Sequence, residues 1–138
     1  MRAAAALAAI ADVSVFRMFV VGIPATATTA RGPLRISAVE QVCFLTRLSA
    51  KELPVSAEAQ AAVRDILLFE QTPDWSLFAK TGSAVSVLPP VGWWVGWVEK
   101  SGRVYVFALN MDIGSDSLTA ARIEFGKTCL QALKVLPR

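Results

Sequence analysis

Two near-continuous apolar runs, Val91 to Val98 and Val104 to Met111, constrain this chain more than any other feature. Both are rich in β-branched and aromatic residues, tryptophan in the first especially, so each reads as a strand. Between them Glu99-Lys100-Ser101-Gly102-Arg103 supplies a polar hairpin turn, with glycine where a positive φ is wanted. A strand wetted on one face alternates apolar and polar residues; these do not, so helices are expected to pack on both sides. A third, shorter strand is expected over Trp75 to Lys80.

Helices account for most of the remainder. Ser37-Ala38-Val39-Glu40 has the pattern of a capping box, in which the serine hydroxyl accepts from the amide three residues on and the glutamate reaches back. The helix it opens is expected from Ala38 to Ser49, with Val39, Val42, Cys43 and Leu45 near its inner face, broken at Lys51-Glu52-Leu53-Pro54. Ser56 caps a second helix whose apolar stripe is Ala59, Val63, Ile66 and Leu67, and Pro73 closes that unit. A last helix is expected from Ser117 to Leu136, with Ile123, Gly126, Leu130 and Leu133 inward and Pro137 as its stop.

At 138 residues the chain has room for one core. Apolar residues at 54% against 18% charged exclude intrinsic disorder. There is no histidine, so imidazole chemistry is excluded, and two cysteines cannot by themselves make a zinc site; no metal and no cofactor are implied. Cys43 and Cys129 sit in helix-like apolar stretches and read as buried thiols and not as a disulfide. A net charge of +3 without a Lys/Arg cluster gives nucleic acid no footprint. No apolar run reaches the roughly 18 residues of a membrane span, and Arg17 interrupts the best candidate.

Composition shifts near residue 31. Residues 1–30 hold ten alanines and three charges, Arg2, Asp12 and Arg17, and end in Ala25-Thr26-Ala27-Thr28-Thr29-Ala30. A basic start and small residues at the end suit an export signal; Asp12 and Arg17 inside the apolar stretch argue against one. Residues 1–31 are therefore read as a separate leader: signal-like, unstructured, or translated out of frame. Residues 32–138 are the organised part.

Lys80-Thr81-Gly82 stands at the end of the first expected strand, before the loop Ser83 to Leu88. Glycine leaves a strand edge bare for an extended ligand, while the ammonium and hydroxyl can hold a carboxylate. The same tripeptide occurs in penicillin-recognising enzymes beside Ser-x-x-Lys. Alone it also fits an ordinary strand end with a solvated lysine. Together with Leu34-Arg35-Ile36-Ser37, Glu52-Leu53-Pro54-Val55-Ser56, Gly92-Trp93-Trp94-Val95-Gly96-Trp97 and Val106-Phe107-Ala108-Leu109-Asn110, it resembles class D serine β-lactamases over about residues 32–136.

The resemblance implies an α/β fold of the α+β type: an antiparallel sheet with helices on both faces, here without the family's N-terminal strands and all-helical region. It implies that Lys80, Thr81 and Gly82 line the substrate site, and that the backbone amide of Ser83 is an oxyanion-hole donor. Arg122, twelve positions after Asn110, matches the arginine that grips the β-lactam carboxylate, a task suited to a planar guanidinium. Trp93, Trp94 and Trp97 read as sheet core. The implied ligand is a β-lactam and the implied location periplasmic or secreted. With family parts missing, the apolar faces of Val91–Val98 and Val104–Met111 are expected to lie uncovered and solubility to be poor.

No serine here is followed three positions later by lysine: Ser37 leads to Glu40, Ser49 to Glu52, Ser56 to Ala59 and Ser76 to Ala79, and the others fit no better. The family's Tyr-Gly-Asn motif is absent, and neither Ser37-Ala38-Val39 nor Ser83-Ala84-Val85 lies where its Ser-x-Val belongs. No catalytic residue is therefore assigned. Three functions stay open: β-lactam hydrolysis with a complementing N-terminal segment, penicillin binding without turnover, or no biochemical function.

Overall fold

In the computed structural model residues 6–13, 16–22, 36–85, 88–113 and 116–138 are described, with 6–22 and 116–119 as backbone only. The small-residue run at 25–30, the composition break near residue 31 and the stretch 32–35 lie outside the described residues. In chain order the elements are β1 (Ala6–Val13), β2 (Phe16–Gly22), α1 (Ala38–Ser49), α2 (Ala57–Leu67), β3 (Leu68–Gln71), β4 (Trp75–Ala84), β5 (Val91–Lys100), β6 (Arg103–Asp112) and α3 (Asp116–Ala132). One sheet holds the strands in the order β1-β2-β6-β5-β4-β3. All neighbours are antiparallel except β2 and β6, which run parallel.

The central hairpin forms as its pattern requires. β5 and β6 pair from Val91 with Asp112 to Lys100 with Arg103, and the turn tightens to Ser101-Gly102, with φ of 52° and 72°. Two positive φ angles suit a two-residue loop whose twist matches that of the strands. β4 runs to Ala84, four residues past its expected end, because β5 pairs with it along its whole length.

Alternation along the strands builds two cores. Leu77, Ala79, Trp94, Val98, Phe107 and Leu109 point to α3 and pack with Leu130, Val135 and Leu136. Phe78, Trp93, Trp97, Val106 and Ala108 point the other way, against Ala38, Val42, Leu45 and Leu48 of α1. The faces of β5 and β6 are thus covered, contrary to the expectation from the missing family parts: Trp94, Trp97, Val98 and Val106 are fully buried. Each such side chain contributes about 1.5–3 kcal/mol.

Helix ends follow local chemistry. At α1, Ser37 Oγ accepts from the Glu40 amide at 3.2 Å and Glu40 Oε2 accepts from the Ser37 amide at 2.8 Å. Those bonds to Ser37, backbone first, hold the Glu40 carboxyl below its usual pKa. Lys51, with a φ of 60°, ends the helix: its amide donates to Leu48 and that of Glu52 to Arg47. The same double bond ends α3 at Lys134, φ 61°, where Lys134 donates to Gln131 and Val135 to Leu130. This Schellman arrangement normally uses glycine, and it stops α3 at Ala132, four residues short of the expected Leu136. Gly126 and Leu130 face inward as expected, with Ile123 and Leu133 half-buried beside them.

Other expectations are corrected. The inner face of α1 is Ala38, Val42, Leu45 and Leu48, leaving Val39 and Cys43 exposed. Cys43 is therefore not a buried thiol; Cys129 is half-buried, and burial raises its pKa. Both are free. In α2 the expected apolar stripe is not the inner face: Val63 is 41% and Ile66 79% exposed, only Leu67 of the stripe packs against the core on the α1 side, and Gln60 alone is fully buried. The polar side of α2 holds the inner position because its partners lie there. The Gln60 amide bonds Leu53 and Val55, while Arg64 forks onto Glu99 at 2.5 and 2.6 Å and lies 4.1 Å over the Phe78 ring. Pro73 does not close the helix; α2 stops at Leu67 and the chain folds back as β3.

Two strands, β1 and β2, arise within residues 6–22, where composition suggests none. They form a hairpin whose second strand extends the sheet beyond β6. No described helix is long and apolar enough to cross a membrane.

Candidate functional site

Lys80, Thr81, Gly82 and Ser83 lie on β4, and the pairing of that strand makes the site. On one side β5 meets β4 along its whole length; on the other, β3 pairs only with Ser76, Leu77 and Phe78. The outer edge of β4 from Ala79 to Ala84 therefore carries no strand among the described residues. An open edge presents backbone donors and acceptors to whatever extended group lies along it.

Pleating sends the side chains of this edge to opposite faces. Lys80 is exposed on the α1 and α2 side, beside Val95, and its ammonium donates to the Thr81 carbonyl at 3.0 Å. Thr81 and Ser83 are half-buried on the α3 side, opposite Trp94 and Gly92. Gly82 lies between them. A methyl group there would meet Trp93 Cβ at 3.7 Å, an ordinary contact, so packing within the chain does not demand glycine.

Arg122 comes from α3, forty residues along the chain, and is only 9% exposed. Its Nη1 donates to the Gly82 carbonyl at 3.1 Å and to Ser83 Oγ at 2.8 Å. Its Nε is buried with no hydrogen-bond partner among the described residues. Burial lowers the guanidinium's pKa, yet arginine starts so high that it stays charged. The path of Arg122 to β4 crosses β5 at Gly92. A methyl group at position 92 would fall 2.5 Å from Ile113 Cγ2 and 3.2 Å from Arg122 Nη1.

The structure brings the residues named from the sequence to one place. Lys80, Thr81, Gly82 and Ser83 stand in a row on one open edge, and Arg122 joins them at Gly82 and Ser83. The Lys80 ammonium is bound elsewhere, so the two cations flank the edge from opposite faces of the sheet. Trp93, Trp94 and Trp97 are core residues, as expected. Sequence reasoning missed Gly92 and the Ser83 hydroxyl. Glycine inside an apolar strand was the available signal for Gly92, since it marks close approach by a neighbouring group; nothing local flagged the contact of the Ser83 hydroxyl with Arg122.

Comparison with known proteins agrees with this architecture. The family model for the penicillin binding protein transpeptidase domain matches residues 23–127. The β-lactamase OXA-48 of Klebsiella pneumoniae is 40% identical over 106 residues, which are 77% of this chain and 40% of that protein. OXA-10 of Pseudomonas aeruginosa is 49% identical over 89 residues, 62% of this chain and 34% of the relative. Among solved structures, the class D β-lactamase YbXI from Nostoc superposes with a TM-score of 0.73 at 47% identity, over 76% of this chain and 44% of that one. FUS-1 (OXA-85) from Fusobacterium nucleatum subsp. polymorphum gives 0.74 at 40% identity, over 78% and 45%. The chain spans less than half the length of each of these relatives.

Proposed function

The chain belongs to the penicillin-binding-protein transpeptidase-domain family and is related to the class D β-lactamases, and from that premise we propose that it forms the ligand-gripping wall of a β-lactam site without the attacking group. The observation that carries the reading is the open β4 edge, where Lys80, Thr81, Gly82 and Ser83 stand with Arg122 bonded to the last two.

Each residue has a role in this reading. The bare backbone at Gly82 lets a ligand lie close to the strand, which supports a functional reason for a glycine that packing does not require. Lys80 and Arg122 supply positive charge for the ligand's carboxylate from opposite faces of the edge, Nη1 of Arg122 staying bonded to Gly82 and Ser83. Thr81 offers a hydroxyl to the same group. The backbone N–H of Ser83 is the oxyanion-hole donor, acting on the carbonyl oxygen as the amide is attacked. Gly92 is a positioning residue that keeps the path of Arg122 clear.

In the family reaction a serine oxygen bonds to the β-lactam carbonyl carbon and the ring C–N bond breaks. Its nitrogen takes a proton, and water then hydrolyses the ester. This chain has no Ser-x-x-Lys to supply nucleophile and base. Charge and hydrogen bonding at the wall cannot replace them: removing such a pair costs roughly a million-fold in serine hydrolases. The chain is thus a binder without turnover by itself. A periplasmic or secreted location goes with this reading.

The test is to give the purified chain a chromogenic β-lactam and examine it by mass spectrometry, with binding followed by tryptophan fluorescence. Saturable binding that weakens in Lys80→Ala, with neither hydrolysis nor a covalent adduct, supports the reading. A penicilloyl adduct on any hydroxyl defeats it, and so does binding indifferent to position 80.

A further inference from the structure

α3 reaches the open edge of β4 through one nitrogen, and that nitrogen is already engaged. Nη1 of Arg122 donates to the Gly82 carbonyl at 3.1 Å and to Ser83 Oγ at 2.8 Å. The side chain as a whole is 9% exposed and its Nε is buried, so little of the guanidinium surface is left for a ligand. Ser83 is covered less deeply: it is half-buried, and it shares its face of the strand with Thr81. A serine hydroxyl carries one proton and two lone pairs. Here a cation holds the oxygen, so the proton is what the group still offers, and polarisation by the guanidinium makes it a stronger donor. Among the described residues no acceptor takes that proton.

We infer that the Ser83 hydroxyl reads the ligand's carboxylate, donating to one of its oxygens while accepting from Arg122, and that Arg122 is a positioning residue acting through it. The inference rests on the β-lactam reading of the β4 edge, and it departs from the direct grip that family likeness gives Arg122. An anionic acceptor is selected because a bond to a charged group gains most from a polarised donor. Thr81 places a second hydroxyl roughly 7 Å along the same face of the strand, a span that the two oxygens of one carboxylate can bridge. The contact is separate from the backbone N–H of Ser83, which serves the carbonyl oxygen. The two accounts of Arg122 differ in sign at one substitution. Under a direct grip, Ser83→Ala releases a donor of Nη1 to the ligand, and binding holds or tightens. Under the relay, the same change removes the contact and binding weakens.

The probes are benzylpenicillin and its methyl ester, which lacks the charged carboxylate, each titrated by calorimetry into the full chain and its variants. The native chain should bind the acid at least tenfold more tightly than the ester. Ser83→Ala should weaken the acid about tenfold, the worth of one charge-assisted bond, and leave the ester unchanged. Ser83→Thr keeps a hydroxyl and should restore the acid. A purely structural role for Ser83 would move acid and ester together. The inference is overturned by acid binding that holds or tightens in Ser83→Ala, by an equal loss for both compounds, by threonine failing to restore the acid, or by a native chain indifferent to the ester. In each of those cases the site reading survives as long as Lys80→Ala still weakens the acid. A native chain that binds neither compound removes both.

Discussion

The six-membered ring of Trp94 lies against the backbone of α3 at Gly126, where a methyl group would overlap its Cε3 and Cζ3 atoms. Trp94 is fully buried, tilted against Phe107 at 4.6 Å between ring centres and edge-on to Phe69 at 6.4 Å, so it has nowhere to retreat. Gly126→Ala gains about 1 kcal/mol of helix propensity. Overpacking a filled core costs about 1–3 kcal/mol or more, and with a rigid ring as neighbour the upper end applies. The expected net loss is about 2 kcal/mol by urea denaturation. An equally or more stable variant would mean that α3 does not pack on Trp94 in solution.

The bond between Arg122 and Ser83 Oγ, at 2.8 Å, joins groups 39 residues apart. A charge-assisted bond of this kind contributes about 1.5–3 kcal/mol. In a double-mutant cycle of Ser83→Ala and Arg122→Ala, the coupling is expected to exceed about 1 kcal/mol. Strict additivity would place the guanidinium elsewhere.

Acid should loosen α2 from the sheet. Glu99 is held below its usual carboxyl range, first by its hydrogen bond with Arg64 and then by the one from Trp97, against the opposing effect of burial. A carboxyl whose folded value is depressed adds stability above its unfolded value of about 4.3, and that stability is lost as pH falls through the folded value. Thermal midpoints of the native chain should therefore fall below about pH 4.3, and Glu99→Gln should flatten that part of the profile. An unchanged acid limb in the variant would show that the fork between Arg64 and Glu99 does not form.

Two lysines occupy left-handed backbone that suits glycine: Lys51 at φ 60° and Lys134 at φ 61°. Lys51→Gly and Lys134→Gly should each stabilise by about 1 kcal/mol, the order of the left-handed penalty for an L-residue. The melting temperature reports it, and a fall in both variants would count against these helix ends.

How much of this was legible beforehand depended on the range of each interaction. Caps at Ser37 and Ser56 and the turn at Ser101-Gly102 are local, and hydrogen bonds within three residues decide them. The C-terminal ends of α1 and α3 carry lysine where glycine is the usual sign, so the last helix was read as too long. The orientation of α2 could not be read from its stripe. Partners distant in sequence, Glu99 and Phe78 for Arg64, turn the polar side inward. β3 has no alternation of its own and exists because β4 offers it a partner. At the site, the row from Lys80 to Ser83 was visible as a motif. Arg122 was placed there only by family likeness, because only the crossing of β5 at Gly92 brings α3 to that edge.

Arg122 also ties the last helix to the strand it serves, through Gly82 and Ser83. Under the function proposed above, recognition and architecture would share one side chain. A lineage drifting toward other drugs cannot retune that contact in isolation, since every substitution there also unfastens a brace. Variation in drug preference should accumulate at neighbours that carry no such double duty.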